Sequence, residues 1–292
     1  IKMAKDIKKY DFKTGLPQEF EIVNLSELFT KSKHILTNPH RAGFYHIIWF
    51  QDCHVTHWVD FEPINIKPYS LLFLKKDVVH RFDEREKVRG KVILFTNSFF
   101  CKTDSDTKFL RQSILFNDLL EVSPIEIQSK LPQFNALLQL MNDEFETVND
   151  EFQANILQKM LYNFLIFAER EKHRHGFNKI NKGADLDYVI LFKDLLEVHF
   201  TTQKQVAYYA KKIIISEKRL NQATAKTLGK TPKEIIDDRI ILEAKRILAH
   251  TNESVKEIAF YLGFEEPTNF IKYFKKHVSI TPTEFREQNT LA

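Results

Sequence analysis

Apolar positions along this chain change their period near residue 105. Before that point they come in short runs rich in aromatic and β-branched residues. Phe44 to Gln51, His57 to Phe61, Ser70 to Leu74, Val78 to Phe82 and Gly90 to Phe95 are the clearest. Turn-like clusters such as Glu62-Pro63, Lys67-Pro68 and Lys75-Lys76-Asp77 separate them. Short strands at this spacing predict an antiparallel sandwich or barrel over residues 1–105.

Steps of three and four take over from about residue 106. Phe134, Leu137, Leu138, Met141, Phe145, Val148 and Phe152 form one stripe, continued by Ile156, Leu157, Met160, Leu161, Phe164, Leu165 and Ala168. The stripe predicts one or two amphipathic helices, a helical connector over 106–175. It closes on the charged run Glu169 to His175 before Gly176, which suits a helix C-terminus. Residues 173–185 lack an apolar period and read as a linker. The stripe carries more apolar surface than one sheet face needs. The expectation is therefore a homodimer through Phe134, Met141, Phe145, Leu157, Leu161 and Phe164.

Residues 186–292 read as helical throughout and as internally repeated. Ala210 recurs as Ala259 and Leu220 as Phe270. Thr231-Pro232-Lys233-Glu234 recurs as Thr281-Pro282-Thr283-Glu284. In that string Thr caps a helix, Pro takes its first position and Glu returns to the capping N–H. Ser254 to Glu257 is a further capping box. In the first unit Val206 to Ile213 is a short helix with small Ala207 and Ala210, and Ser216 caps the next, Glu217 to Leu228. In the second, Val255 to Leu262 leads through Gly263 to a helix starting at Pro267. The segment Pro232 to His250 joins them. A small residue, a tight turn and a polar-faced second helix predict a helix-turn-helix, here twice.

Composition narrows the reading. Of 292 residues, 43% are hydrophobic, enough for real cores and too many for global disorder. With 7 Gly, neither a dinucleotide fingerprint nor a phosphate loop occurs. Cys53 and Cys101 form no C-x-x-C pair, so free thiols in a reducing cytosol are expected, without export or membrane segments. Residues 186–292 hold 17 Lys+Arg and 14 Asp+Glu. A binder that relied on phosphates alone would carry more positive charge.

Several strings in the repeated region carry a resemblance. They are Ser216-Glu217-Lys218-Arg219-Leu220, Gly229-Lys230-Thr231-Pro232, Ala244-Lys245-Arg246-Ile247-Leu248, Ile258 to Phe264, and Phe274-Lys275-Lys276 through Thr281-Pro282-Thr283-Glu284-Phe285-Arg286. In order and density they resemble the DNA-binding domain of AraC/XylS-type transcription regulators over about residues 186–288. The resemblance implies an α+β, two-domain protein with a cupin-like antiparallel β-barrel and an all-α domain of two helix-turn-helix units. It implies a cytoplasmic, sequence-specific regulator of double-stranded DNA, with a small-molecule effector in the barrel and no catalysis. Two departures stand out. Thr224 occupies a position where the family commonly has an aromatic, which is expected to weaken packing of the first unit. Lys75-Lys76-Asp77 replaces the frequent Ser-Pro-Gly.

Lys218, Asn221, Gln222, Thr268, Asn269 and Lys272 are the candidate base readers, their amides and ammonium groups suited to adenine and guanine edges. Arg219, Lys226, Lys275 and Lys276 are the candidate phosphate contacts. Arg41, Tyr45, His46 and His80 are the candidate effector residues. His54 and His57 have opposite parity on one strand, and the H-x-H signature with a following Glu is absent. No metal or other cofactor is therefore expected, although His46 and His80 could still converge, and His80 reads as a structural residue beside a turn. The alternative from another class is a metal-dependent cupin enzyme fused to a helical domain.

Overall fold

The computed structural model describes residues 7–84, 88–116, 122–174 and 183–289. The chain divides into two compact units, Lys8–Lys179 and Ile180–Ala292, the latter together with Ile1–Ile7.

The first unit is β-rich. Its elements are β1 Lys8–Tyr10, β2 Phe20–Asn24, α1 Leu25–Leu36, β3 His40–Ala42, β4 Tyr45–Phe50, β5 Val55–Val59, β6 Glu62–Ile66, β7 Ser70–Leu74, β8 His80–Phe82 and β9 Gly90–Phe95. Then follow α2 Asn97–Phe100, α3 Asp104–Gln112, β10 Ile125–Glu126, α4 Leu131–Glu146 and α5 Gln153–Arg174. The strands form two five-stranded sheets, β1-β3-β8-β5-β6 and β10-β7-β4-β9-β2. No strand is shared between them, so the described pairings make two layers instead of the closed barrel expected.

Alternation along β4 sets the layering. Ile48 and Phe50 join Val55, Val59, Ile66, Leu72, Leu74 and Phe82 between the sheets. Tyr45, Ile47 and Trp49 turn the other way, onto Phe134, Leu138, Met141, Leu157, Leu161 and Phe164 of α4 and α5. Those two helices therefore cover the second sheet as a third layer. Of the six residues assigned to a homodimer, five are fully buried in their own chain and Phe145 packs against the same core. They cannot serve a partner without opening that core. Val148 and Phe152 fall in the break between α4 and α5 and are solvent-exposed.

Pro63 lies within β6, a segment the sequence marks as a turn. The strand survives because β6 is the sheet edge and pairs only with β5, so a missing N–H faces outward. Asp77 adopts φ +65° and donates its backbone N–H to the Ala42 carbonyl at 2.8 Å. It thus fills the left-handed turn position in the altered Lys75-Lys76-Asp77 loop, a role Asp tolerates better than most residues. His80 is buried and opens β8, three residues beyond the turn at Asp77.

The second unit is helical: α6 Ala184–His199, α7 Val206–Ile213, α8 Glu217–Leu228, α9 Pro232–His250, α10 Val255–Tyr261, α11 Pro267–Val278 and α12 Pro282–Asn289. Helix α6 begins at Ala184, so the linker read over 173–185 is shorter than expected. Its residues 175–182 lie outside the described ones. Both T-P-x-E boxes close as expected. Thr231 N–H donates to Glu234 and Thr281 N–H to Glu284, each at 2.7 Å. Ala210 and Ala259 are buried where α7 and α10 meet their neighbours. Helix α9 packs on α8, α10 and α12, so it belongs to both repeats.

Candidate nucleic-acid interface

Helix α8 separates its residues by face. Leu220, Ala223 and Thr224 are buried, while Lys218, Asn221, Gln222 and Ala225 are exposed. At roughly 100° per residue those four fall within one arc of about 100°. Ser216 caps the helix by accepting from the Arg219 N–H, and Gly229 ends it in the left-handed conformation. Thr224 is fully buried and donates its hydroxyl to the Asn221 carbonyl at 3.2 Å. A small polar residue thus enters the core with its one donor satisfied.

Helix α11 repeats the design. Phe270 and Phe274 are buried, and Thr268, Asn269, Lys272, Lys275 and Lys276 are exposed on the other side. The expected base readers and two of the four expected phosphate contacts thus lie on two outward faces. Arg219 and the exposed Lys226 also carry contacts within the domain. Arg219 pairs with Asp185 of α6 and lies 5.0 Å from the Tyr188 ring centre, and Lys226 reaches the same carboxylate at 2.8 Å. Lys226 and Arg219 hold Asp185 below the usual carboxylate range. Both cations therefore brace α8 against α6, which the sequence could not reveal because Asp185 is remote in the chain. Asp237 of α9 plays the corresponding part for α11. It accepts from the Tyr273 hydroxyl at 2.7 Å and from Lys233 at 2.5 Å, with His277 3.5 Å away.

Two further features were missed from sequence. Lys211 and Lys212, in the last turn of α7, are exposed beside the α8 N-terminus. A groove of about 300 Å³ is lined by Lys218 and Asn221 of α8 together with Val206, Glu217, Thr231, Pro232 and Lys233. The repeats are also joined at the second turn. Lys204 donates to the Gly263 carbonyl at 2.8 Å, and its ammonium lies over the Phe264 ring. A Cβ on Gly263 would stand 1.9 Å from the Thr201 carbonyl oxygen, and its φ is +72°.

The four expected effector residues do not form one site. Tyr45 and His46 are consecutive on β4 and face opposite layers: Tyr45 stacks on Phe95 at 5.1 Å, within the helix-covered core. Arg41 is flanked on β3 by buried His40 and Ala42, so it points to the other side of that strand. His46 and His80 do converge, with ring centres 5.0 Å apart. His40 and His57 complete a cluster around His80 at 4.3 and 5.3 Å. The strand register explains it. His40 pairs directly with His80, and Val59, two residues beyond His57, also pairs with His80. Both nitrogens of His57 and His80 and Nδ1 of His46 are buried without a hydrogen-bond partner, whereas His40 Nδ1 lies 2.9 Å from the Asn38 carbonyl. Burial, and then the neighbouring rings, push His46 and His57 down to about 3 and His80 well below its ordinary value. The rings are therefore neutral near pH 7. Among the described residues no group of three or more His, Cys, Asp or Glu is placed to hold a metal ion.

The described residues include no helix long and apolar enough to cross a membrane. A family model described as "Helix-turn-helix domain" matches residues 209–288. The HTH-type transcriptional activator RhaS of Enterobacter sp. (strain 638) is 27% identical over 161 residues, 55% of this chain and 55% of its own length. A lactose operon transcription activator of Staphylococcus xylosus is 29% identical over 154 residues, 51% of this chain and 53% of its own. These alignments span about half the length of either relative. A solved structure of ToxT from Vibrio cholerae aligns over 94% of this chain and 96% of its own, at 14% identity and a TM-score of 0.45.

Proposed function

We propose that this chain, which carries the helix-turn-helix domain of AraC-type regulators, is a sequence-specific DNA-binding transcription regulator. One observation carries the reading: two equivalent helices, α8 and α11, each bury one face and present amides and ammonium groups on the other. Major-groove base edges call for that chemistry. The matched relatives, named as transcription activators, support regulation over the enzyme alternative. A reader of chromosomal DNA works in the cytoplasm.

The base-reading set is Lys218, Asn221 and Gln222 in the first half-site and Thr268, Asn269 and Lys272 in the second, with Lys275 and Lys276 on phosphates. Helix α9 has 19 residues. It spans about 28 Å, which with its flanking turns supports a separation of the readers near one duplex turn, about 34 Å. One chain then covers a site of about two turns without internal palindromy. Selection from a random duplex pool, followed by binding titrations on base-substituted sites, tests this. Lys218→Ala and Gln222→Ala should impair one half and Thr268→Ala and Lys272→Ala the other, each by about 1–3 kcal/mol. Lys275→Ala should weaken all sequences alike and lower the salt slope by about one. Uniform losses from all five would overturn the base assignments.

The cupin-like character of the first unit and effector control belong to the same proposal. Two face-to-face sheets around a polar cluster support them, with His46 and His80 as the remaining effector candidates. A homodimer is proposed on narrower ground than the stripe suggested. Leu140, Phe152 and Ile156 are the apolar side chains that α4, α5 and the turn between them leave exposed beside Val148. Light scattering should give a dimer mass at micromolar concentration, reduced to a monomer by Phe152→Ser with Ile156→Ser. A monomeric parent would remove the proposal.

A further inference from the structure

The two helix-turn-helix turns are equivalent by the repeat, since Ala210 and Ala259 precede Ile214 and Gly263 by the same four residues. Both turn residues are left-handed, at φ +63° and +72°. In the second turn Gly is required by the Thr201 carbonyl. In the first the position holds a β-branched residue, for which this conformation is a genuine outlier. The strain is not offset by packing: Ile214 is 91% exposed. The Ile214 N–H donates to the Lys211 carbonyl and the Ile215 N–H to the Ala210 carbonyl, bonds that Gly would make as well.

The surroundings identify the chemistry of a partner. Lys211 and Lys212 precede Ile214, Ser216 caps α8 two residues later, and Lys218 follows on the exposed arc of α8. An apolar side chain among exposed ammonium groups suits a polyanion that offers an apolar atom at its surface. In the major groove that atom is the thymine C5-methyl. We propose that Ile214 is a specificity-determining residue that packs on a thymine methyl at the edge of the half-site read by α8. The inference rests on the DNA-binding reading and adds to it a contact outside the recognition helix.

The test uses the full chain and the duplex selected from the random pool. Each thymine in the first half-site is replaced in turn by deoxyuridine, which removes only the methyl group. At one position the parent protein should lose about fourfold in affinity, the worth of one buried methyl. Ile214→Gly should bind the thymine duplex about as weakly and be indifferent to that replacement. It should also melt about 4 °C higher, because the strained position is relieved. The stability gain separates a lost contact from a damaged fold, and Ile214→Asn, which tolerates the left-handed region, should repeat the binding result. If the parent ignores every thymine-to-deoxyuridine change, or if Ile214→Gly keeps full affinity, the contact does not exist. If the parent selects no sequence at all, the DNA-binding reading itself falls, a different outcome from either.

Discussion

Acidification from pH 7.5 to 4.5 is expected to unfold the first unit before the second, with the loss beginning just below pH 6.5. The cause is the histidine cluster. His46 and His57 are driven to about 3, His80 well below its ordinary value and His40 in the same direction, first by burial and then by one another. The other charge bearing on the rings is Arg81, which is also positive. The sign follows from linkage. Each folded-state value lies below the unfolded value near 6.5, so the unfolded chain binds protons more readily. The stabilisation is complete above 6.5 and is lost as pH falls toward 3. At pH 5 the loss is on the order of 2 kcal/mol for each of His46 and His57. Those two alone approach the lower end of an ordinary domain's stability, and His80 and His40 act in the same direction. Both tryptophans, Trp49 and Trp58, lie in the first unit, so their emission reports on it alone. His57→Phe keeps an aromatic ring against Phe82, whose ring centre is 4.4 Å away, and should shift the transition to lower pH. Emission unchanged to pH 4.5, or a His57→Phe variant with the parent's transition, would show that the cluster does not govern acid stability.

Gly263→Ala should unfold or strongly loosen the second unit and abolish DNA binding. Two penalties coincide there. The backbone is left-handed at φ +72°, and the new methyl would stand 1.9 Å from the Thr201 carbonyl oxygen and 2.9 Å from the Lys204 ammonium. The carbonyl belongs to the segment that leads into the first repeat, so relief must separate the two repeats. Gly229 is the internal control. It is also left-handed, at φ +68°, but nothing lies within 4 Å of its hypothetical Cβ. Gly229→Ala should therefore cost only about 1 kcal/mol. Gly263→Ala should cost several times that, more than 3 kcal/mol, as for other clashes in packed interiors. Thermal melts followed by far-ultraviolet circular dichroism compare them directly. Equal melting temperatures would mean that the Thr201 contact yields easily.

The helical half of this fold is legible in its sequence because its signals are local. Capping boxes, left-handed stops and the three- and four-residue period fix α7, α8 and α9 at the boundaries read from the residues, and α11 at its start. The first half depends on pairings distant in the chain. Strands β1 and β3 are three residues long with no apolar run to announce them, β2 and α1 carry only short apolar patterns (Phe20, Ile22 and Val23; Leu25, Leu28 and Phe29), and β6 hides behind Pro63, which is tolerated only at an edge. The same remoteness affected the site residues. Opposite parity correctly separates neighbours on one strand, as it does Tyr45 from His46. It says nothing about His40, His46, His57 and His80, which meet only once the order β3-β8-β5 and the stacking of sheets are known. For the same reason Arg219 and Lys226 look like free cations until Asp185 is placed beside them. The stripe of α4 and α5 is a different case, its residues assigned to a homodimer being packed in their own chain. Its period was right, but periodicity cannot distinguish a face that meets a partner from one that meets its own sheet.

Helix α9 closes the first repeat and opens the second, packing on α8, α10 and α12 at once. A protein with two readers on a slack tether accepts targets at a range of separations, and its specificity is the product of two independent searches. A rigid shaft shared by both readers behaves like a caliper set to one opening. The distance and phase between the two half-sites are then written into a covalent length, and a target displaced by half a duplex turn presents its second half on the far side. Such a molecule discriminates by geometry before any base is read. On the proposed reading, modest positive charge suffices because the two readings become a single event.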